Sequence, residues 1–188
     1  MAWGDTIVTV LKKYNVRYLN YVPDSKIEKL LEAARNLGGF EALPLTREEE
    51  GIGVVCGQSI GGARGVLLCP TAGLGNSINA LASLAITYRI PCPIIIVWDN
   101  RSYAMTGGQP TATAYHTDLA AVARGAGYLK VERVETIAEF KRAADRALVE
   151  PGPWFIHCLM QEKPVTGGGL PSPTAIKHRF MDAIGAHH

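Results

Sequence analysis

Apolar positions along this 188-residue chain switch repeatedly between two spacings. Ile7, Val10, Leu11 and Tyr14 recur at helical intervals and predict a helix over 5–14. Residues 16–22 form a β-type run closed by Pro23, after which Ile27, Leu30, Leu31 and Ala34 make the apolar stripe of a second helix. Asp24 or Ser25 is placed to cap that helix, and Gly38-Gly39 to end it. The same alternation predicts strands over 40–45, 65–69, 93–98, 128–134 and 154–160, and helices over 49–61, 76–88, 117–125, 136–149 and 174–184. Residues 100–115 read as a loop rich in Gly, Thr and Ala, and 161–173 as an irregular tail. The run over 93–98 is the most apolar, which places it near the middle of a sheet.

Six β-type runs alternating with helices predict parallel pairing through right-handed crossovers, with both sheet faces covered. The expected fold class is α/β: a three-layer αβα domain with a six-stranded parallel sheet and flavodoxin-like winding. The length suits one such domain over 1–188, and the chain shows no internal repeat or linker.

Composition acts by exclusion. The chain is 47% hydrophobic and 19% charged, ordinary for a globular domain, and its basic residues are scattered at a net charge of +2. That pattern argues against nucleic acid as a partner. The longest apolar stretches are too short to span a bilayer, and the first residues lack the marks of a signal peptide. No membrane role and a cytoplasmic location are therefore expected. Cys56, Cys69, Cys92 and Cys158 form no C-x-x-C pair and sit in apolar contexts, which predicts buried thiols.

The candidate chemistry sits at strand ends. Arg47-Glu48-Glu49-Glu50-Gly51 ends one apolar run and begins a helix, and Thr71-Ala72-Gly73-Leu74-Gly75-Asn76-Ser77-Ile78-Asn79 ends another. A glycine turn before a helix admits close approach of a ligand to backbone N–H groups. Two such strand ends describe one ligand-facing edge of a parallel sheet. For the glutamates, the alternative is that all three are first-turn residues favoured by the helix dipole. Likewise, Asp24 and Ser25 read equally as a helix cap, and His116 as either a proton-transfer group or an exposed histidine.

In combination, Val22-Pro23-Asp24-Ser25, Thr46-Arg47-Glu48-Glu49-Glu50-Gly51 and Gly73-Leu74-Gly75-Asn76-Ser77-Ile78-Asn79-Ala80-Leu81 resemble the pyrimidine-binding domain of the thiamine-diphosphate-dependent sulfopyruvate and phosphonopyruvate decarboxylases. The second half resembles the diphosphate-binding domain of the same enzymes, through the segments 98–111 and 117–127 and through Gly152-Pro153-Trp154-Phe155-Ile156-His157. The chain thus reads as a composite, pyrimidine-domain-like over 1–97 and diphosphate-domain-like over 98–188. The resemblance implies thiamine diphosphate and Mg²⁺ as cofactors, and a 3-carbon 2-oxo acid with an anionic tail as substrate. The product expected from sulfopyruvate is sulfoacetaldehyde, with release of CO₂.

It also implies roles for residues. Glu48, or Glu49 in a register shifted by one, would be the catalytic acid. Thr71, Gly73, Leu74, Gly75 and Asn76 would seat the cofactor, and Tyr103, Thr106, Gly107 and Gln109 would close over it. Asp24, Ser25 and Arg47 would face the substrate, with Arg101 a second candidate for the anionic tail. Asn100 and the Ser102 carbonyl would bind metal. The family's metal turn, Gly-Asp-Gly, reads Gly73-Leu74-Gly75 here, with 24 residues between Gly75 and Asn100. Without that Asp, the diphosphate half of the site is expected from another chain, as a homo-oligomer or with a diphosphate-domain subunit. The alternatives are a non-catalytic scaffold subunit of the same family and a flavodoxin-like nucleotide-binding protein.

Overall fold

The computed structural model describes residues 3–90, 93–103, 107–160 and 171–186. Its centre is a parallel six-stranded sheet in the order β2-β1-β3-β4-β8-β7. The strands are β1 (Tyr18–Tyr21), β2 (Glu41–Pro44), β3 (Gly65–Pro70), β4 (Ile94–Asp99), β7 (Lys130–Val134) and β8 (Trp154–Leu159), and a separate hairpin pairs β5 (Ser102–Tyr103) with β6 (Gln109–Pro110). β4 is buried at every position and lies between β3 and β8, as its composition predicts. β2, at the edge, is exposed along its whole length.

Each interior strand sends alternate side chains to opposite layers. Ile94, Ile96 and Trp98 join the core beneath α1 (Trp3–Lys13), α2 (Ser25–Leu37) and α6 (Ile137–Ala147). There Trp3 packs edge-on against both Trp98 and Phe140, with ring centroids 6.3 and 6.2 Å away. Ile95 and Val97 join the opposite core with α3 (Glu48–Ile60), the segment after β3, and α5 (Leu119–Gly125). One polar pair inside this second layer joins a strand to a helix. Asn20 is fully buried and exchanges amide hydrogen bonds of 2.8 and 2.9 Å with Gln58, which ties β1 to α3.

Caps fix the helix ends. Asp24 accepts from the Lys26 amide at 2.9 Å, Asp118 from Ala120 and Ala121, and Thr136 with Glu139 forms a reciprocal capping box. At its other end, α2 stops at Gly38, whose φ of 70° other residues adopt at a cost.

Two segments differ from the sequence expectation. The helix expected over 76–88 is a 3-10 turn (Leu74–Ser77), one α turn (α4, Ile78–Ala80) and a π-helix (Leu81–Thr87). Apolar spacing does not distinguish these, because all three bury one side of a coil; here Leu74, Ser77 and Leu81 are fully buried. The loop over 100–115 contains the β5–β6 hairpin, turned at Gly107 and Gly108, both with positive φ. The tail over 161–170 lies outside the described residues, and α7 (Pro173–Ala183) follows it. Among the described residues, no helix is long and apolar enough to cross a membrane.

Candidate active site

The chain leaves β1 to one side, forms β2, and returns to the other side of β1 as β3. Loops at the carboxyl ends of β1 and β3 therefore diverge and open a crevice, the usual ligand position in such sheets. α3 packs across β1 and β3, and this brings its first residue to the crevice.

That residue is Glu48, only 7% exposed. Its carboxyl group lies against Gly73 so closely that a Cβ there would overlap it. Burial pushes the Glu48 carboxyl above the usual range, helped by the charge of Glu49; backbone hydrogen bonds at Glu48 and Gly73 pull the other way and do not win. A carboxyl held in this way is a proton donor at higher pH than a solvated one. Beneath it Cys69 is wholly buried, and both burial and the nearby Glu48 charge raise its thiol pKa.

The other two glutamates face outward. Glu49 pairs with Arg47 at 3.1 Å, and backbone and Arg47 hydrogen bonds lower its pKa. Glu50 accepts from the amide and hydroxyl of Thr46, both at 2.8 Å, and so closes the turn before α3. The dipole reading therefore suits Glu49 and Glu50, while Glu48 is set apart by burial.

After β3, the Asn76 amide and the Ser77 hydroxyl both bond to the Gly73 carbonyl, at 3.1 and 3.3 Å. Thr71 and Leu74 are buried, whereas Gly75 and Asn76 are exposed. Thr71, Gly73 and Glu48 are thus brought together. Asp24 and Ser25 stand at the carboxyl end of the neighbouring β1, where Asp24 is occupied as a cap and Ser25 is exposed. Arg47 is exposed on the surface.

Beyond β4, Asn100 accepts from the Ser102 amide at 3.3 Å. Tyr103, Gly107 and Gln109 belong to the hairpin, with the Gln109 side chain folded against Gly107; Thr106 and Cys92 lie outside the described residues. Among the described residues, no three His, Cys, Asp or Glu side chains gather as metal ligands. Leu74, expected from the sequence to replace a metal-binding Asp, is fully buried in the core. The residues present do not fit a self-contained magnesium site.

One constellation escaped the sequence reading. Asp99 is fully buried at the end of β4, and its Oδ2 pairs with Nε2 of the buried His157 on β8 at 2.8 Å. Its Oδ1 accepts from the Arg101 amide (2.8 Å) and the Thr113 hydroxyl (2.9 Å). The available signal was His157 itself, a titratable group inside a run of otherwise buried apolar strand residues. His116 is exposed and lines the cavity beside this pair.

A doubly wound sheet with a buried acid over a glycine turn at its switch point defines an α/β cofactor-binding fold. Residues 51–158 match the family model for the thiamine pyrophosphate enzyme, C-terminal TPP binding domain, and the chain belongs to that family. It is 43% identical over 96 residues to the sulfopyruvate decarboxylase subunit alpha of Methanococcus maripaludis, covering 51% of this chain and 58% of that protein. It is 32% identical over 123 residues to the subunit beta of Methanocaldococcus jannaschii, covering 60% of this chain and 61% of that one. Similarity to the phosphonopyruvate decarboxylase of Streptomyces viridochromogenes is 34% over 101 residues, 54% of this chain and 25% of that one. Each of these relatives is thus matched over less than two thirds of its length. A solved structure described as a thiamin diphosphate-dependent enzyme from Mycobacterium smegmatis shares the fold, with a TM-score of 0.61 at 16% identity, over 85% of this chain and 32% of that one.

Proposed function

We propose that this chain is a cytoplasmic subunit of a thiamine-diphosphate-dependent decarboxylase. Its substrate is a 3-carbon 2-oxo acid with an anionic tail, sulfopyruvate first and phosphonopyruvate second. The observation that carries the reading is the Glu48 carboxyl, buried against the Gly73 turn at the β1/β3 switch point. The residues there fit the aminopyrimidine half of the cofactor. Gly73 lacks the side chain that would displace the Glu48 carboxyl, and Glu48 keeps a proton available for a ring nitrogen. When bound, thiamine diphosphate supplies the electron sink for the carbon–carbon bond that CO₂ leaves.

The protein's part is to hold and move protons and to orient. Glu48 donates to the ring nitrogen and takes the proton back. Burial favours that exchange near neutrality, because it narrows the gap between the two protonation states. Thr71 and Asn76 frame the turn, and the β5–β6 hairpin stands at the end of β4 on the same edge of the sheet. Asn100 and Ser102 provide no anionic ligand for a metal. Instead the diphosphate and its Mg²⁺ are held by a second chain, a further copy or a diphosphate-domain subunit. Matches to both subunit types, which overlap along the chain, support a composite, and our own reading of the motifs puts the change of resemblance in or near the interior strand β4. Such a change preserves the parallel register on both sides.

CO₂ release from sulfopyruvate and phosphonopyruvate, measured with the chain alone and with a diphosphate-domain subunit added, tests this reading. Turnover abolished in Glu48→Gln supports it; no turnover in either assembly overturns it. The buried Leu74 favours a second reading, a scaffold subunit without catalysis. Absence of thiamine diphosphate binding with or without the partner would select that one.

A further inference from the structure

The β5–β6 hairpin is held together by two rungs, Ser102 opposite Pro110 and Tyr103 opposite Gln109. A two-stranded hairpin of that size is not stable by itself in water. Tyr103 is exposed and takes part in neither hydrophobic core, so packing of its ring does not orient the hairpin. Yet the hairpin stands beside the crevice. Trp98 on β4 is level with Pro70 on β3, so the hairpin leaves the sheet one strand from the turn that meets Glu48.

The two feet of the hairpin meet at one carboxylate. Asp99 Oδ1 accepts from the Arg101 amide at 2.8 Å, where the chain leaves β4, and from the Thr113 hydroxyl at 2.9 Å, where it returns. The feet are also joined to each other. The Thr111 amide donates to the Arg101 carbonyl at 3.1 Å, and the Thr111 and Thr113 hydroxyls are 2.8 Å apart. Asp99 is fully buried, and its other oxygen pairs with Nε2 of His157 on β8 at 2.8 Å. The carboxylate is thereby fixed by its own strand and by the neighbouring one. Arg101 has a φ of 56°, in the left-handed region that a residue with a side chain adopts at a cost. Its amide and carbonyl are both engaged, by Asp99 and Thr111, and these two bonds hold the strained foot in place.

We propose that Asp99 is a positioning residue: it clamps both feet of the hairpin to the sheet and so sets Tyr103 and Gln109 as one wall of the thiamine diphosphate crevice. Asp99 touches no ligand and acts through the hairpin. Its use by the cofactor rests on the decarboxylase reading, whereas the clamp does not. A hairpin tied in place before binding does not have to be ordered by the cofactor, and the affinity is higher by that saving.

The test uses Thr113→Val in the full chain, which removes one tie and leaves Asp99, Arg101 and His157 in place. Amide hydrogen exchange followed by NMR reports on the hairpin through Gly108 and Thr111, whose amides bond to the Tyr103 and Arg101 carbonyls, and on the sheet through the buried strand β4. A hydrogen bond to a charged group is worth about tenfold or more, so the hairpin amides should exchange at least about tenfold faster while β4 keeps its rate. Thr113→Ser keeps the hydroxyl and should restore wild-type exchange. Calorimetric titration of thiamine diphosphate, with Mg²⁺ and a diphosphate-domain subunit present, should show about tenfold weaker binding to Thr113→Val and wild-type binding to Thr113→Ser. Unchanged hairpin amides in Thr113→Val, or acceleration by the same factor as in β4, would overturn the clamp. Faster hairpin exchange with undiminished cofactor affinity would overturn the positioning role. A wild-type chain that binds no cofactor fails the decarboxylase reading, and the exchange rates still decide the clamp.

Discussion

Gly73→Ala isolates the contact on which the site is built. At φ −86° and ψ −9° the backbone of Gly73 is one that alanine adopts freely, so the substitution carries no conformational penalty. The new Cβ would instead stand 2.6 Å from Glu48 Oε1 and nearer still to the rest of the carboxyl, whereas real Cβ contacts stay beyond 3.0 Å. Overpacking costs about 1–3 kcal/mol, with the lower end expected here because the obstructing carboxyl is the far end of a flexible side chain. For a chain of this size that is a fall in Tm of about 2–12 °C. The cost should disappear when the carboxyl is gone. Glu48→Ala and the double variant complete a thermodynamic cycle by urea unfolding, and a favourable coupling of about 1–3 kcal/mol is expected. Additivity within about 0.5 kcal/mol would mean that the Glu48 carboxyl does not rest on the turn, and the reasoning would fail.

Three further outcomes follow from the same geometry. Glu48 binds its proton more tightly folded than unfolded, so wild-type stability falls as pH rises above 4.5 through the raised folded value. Glu48→Gln lacks that dependence, and its Tm should gain on the wild type between acid and neutral pH; a constant gap would contradict the burial of the charge. Asp99→Ala orphans three donors and should lose about 3 kcal/mol or more in urea unfolding, with an unchanged midpoint the contrary result. Leu74→Asp introduces, at a fully buried position, the acid that the resemblance to the family would put in the turn. It should destabilise by about 3 kcal/mol or more without creating Mg²⁺ affinity, and calorimetry showing new Mg²⁺ binding would place that turn at the surface.

The layering was legible because strands and helices here obey their own periods. Ile27, Leu30, Leu31 and Ala34 are buried as the stripe requires, and the Asp24 and Gly38 caps fall where their side-chain chemistry puts them. At the site, the sequence displayed three adjacent glutamates and left Glu48 and Glu49 open. Only packing separates them: successive residues of a first helical turn point about 100° apart, so Glu48 turns under Gly73 while Glu49 meets Arg47. Burial of Leu74 follows from the 3-10 geometry of its turn, which apolar spacing does not encode. The Asp99–His157 pair joins residues 58 positions apart. It becomes visible only when register places β4 beside β8, which local pattern does not reveal.

The central claim is that Glu48 meets the aminopyrimidine of thiamine diphosphate, and calorimetric titration of that cofactor tests it most directly. The titration compares the wild type, Glu48→Gln and Glu49→Gln, each with Mg²⁺ and a diphosphate-domain subunit present. The account predicts saturable binding to the wild type, at least about tenfold weaker binding to Glu48→Gln, and little change for Glu49→Gln. Equal affinities in the wild type and Glu48→Gln, or no binding at all, would contradict it.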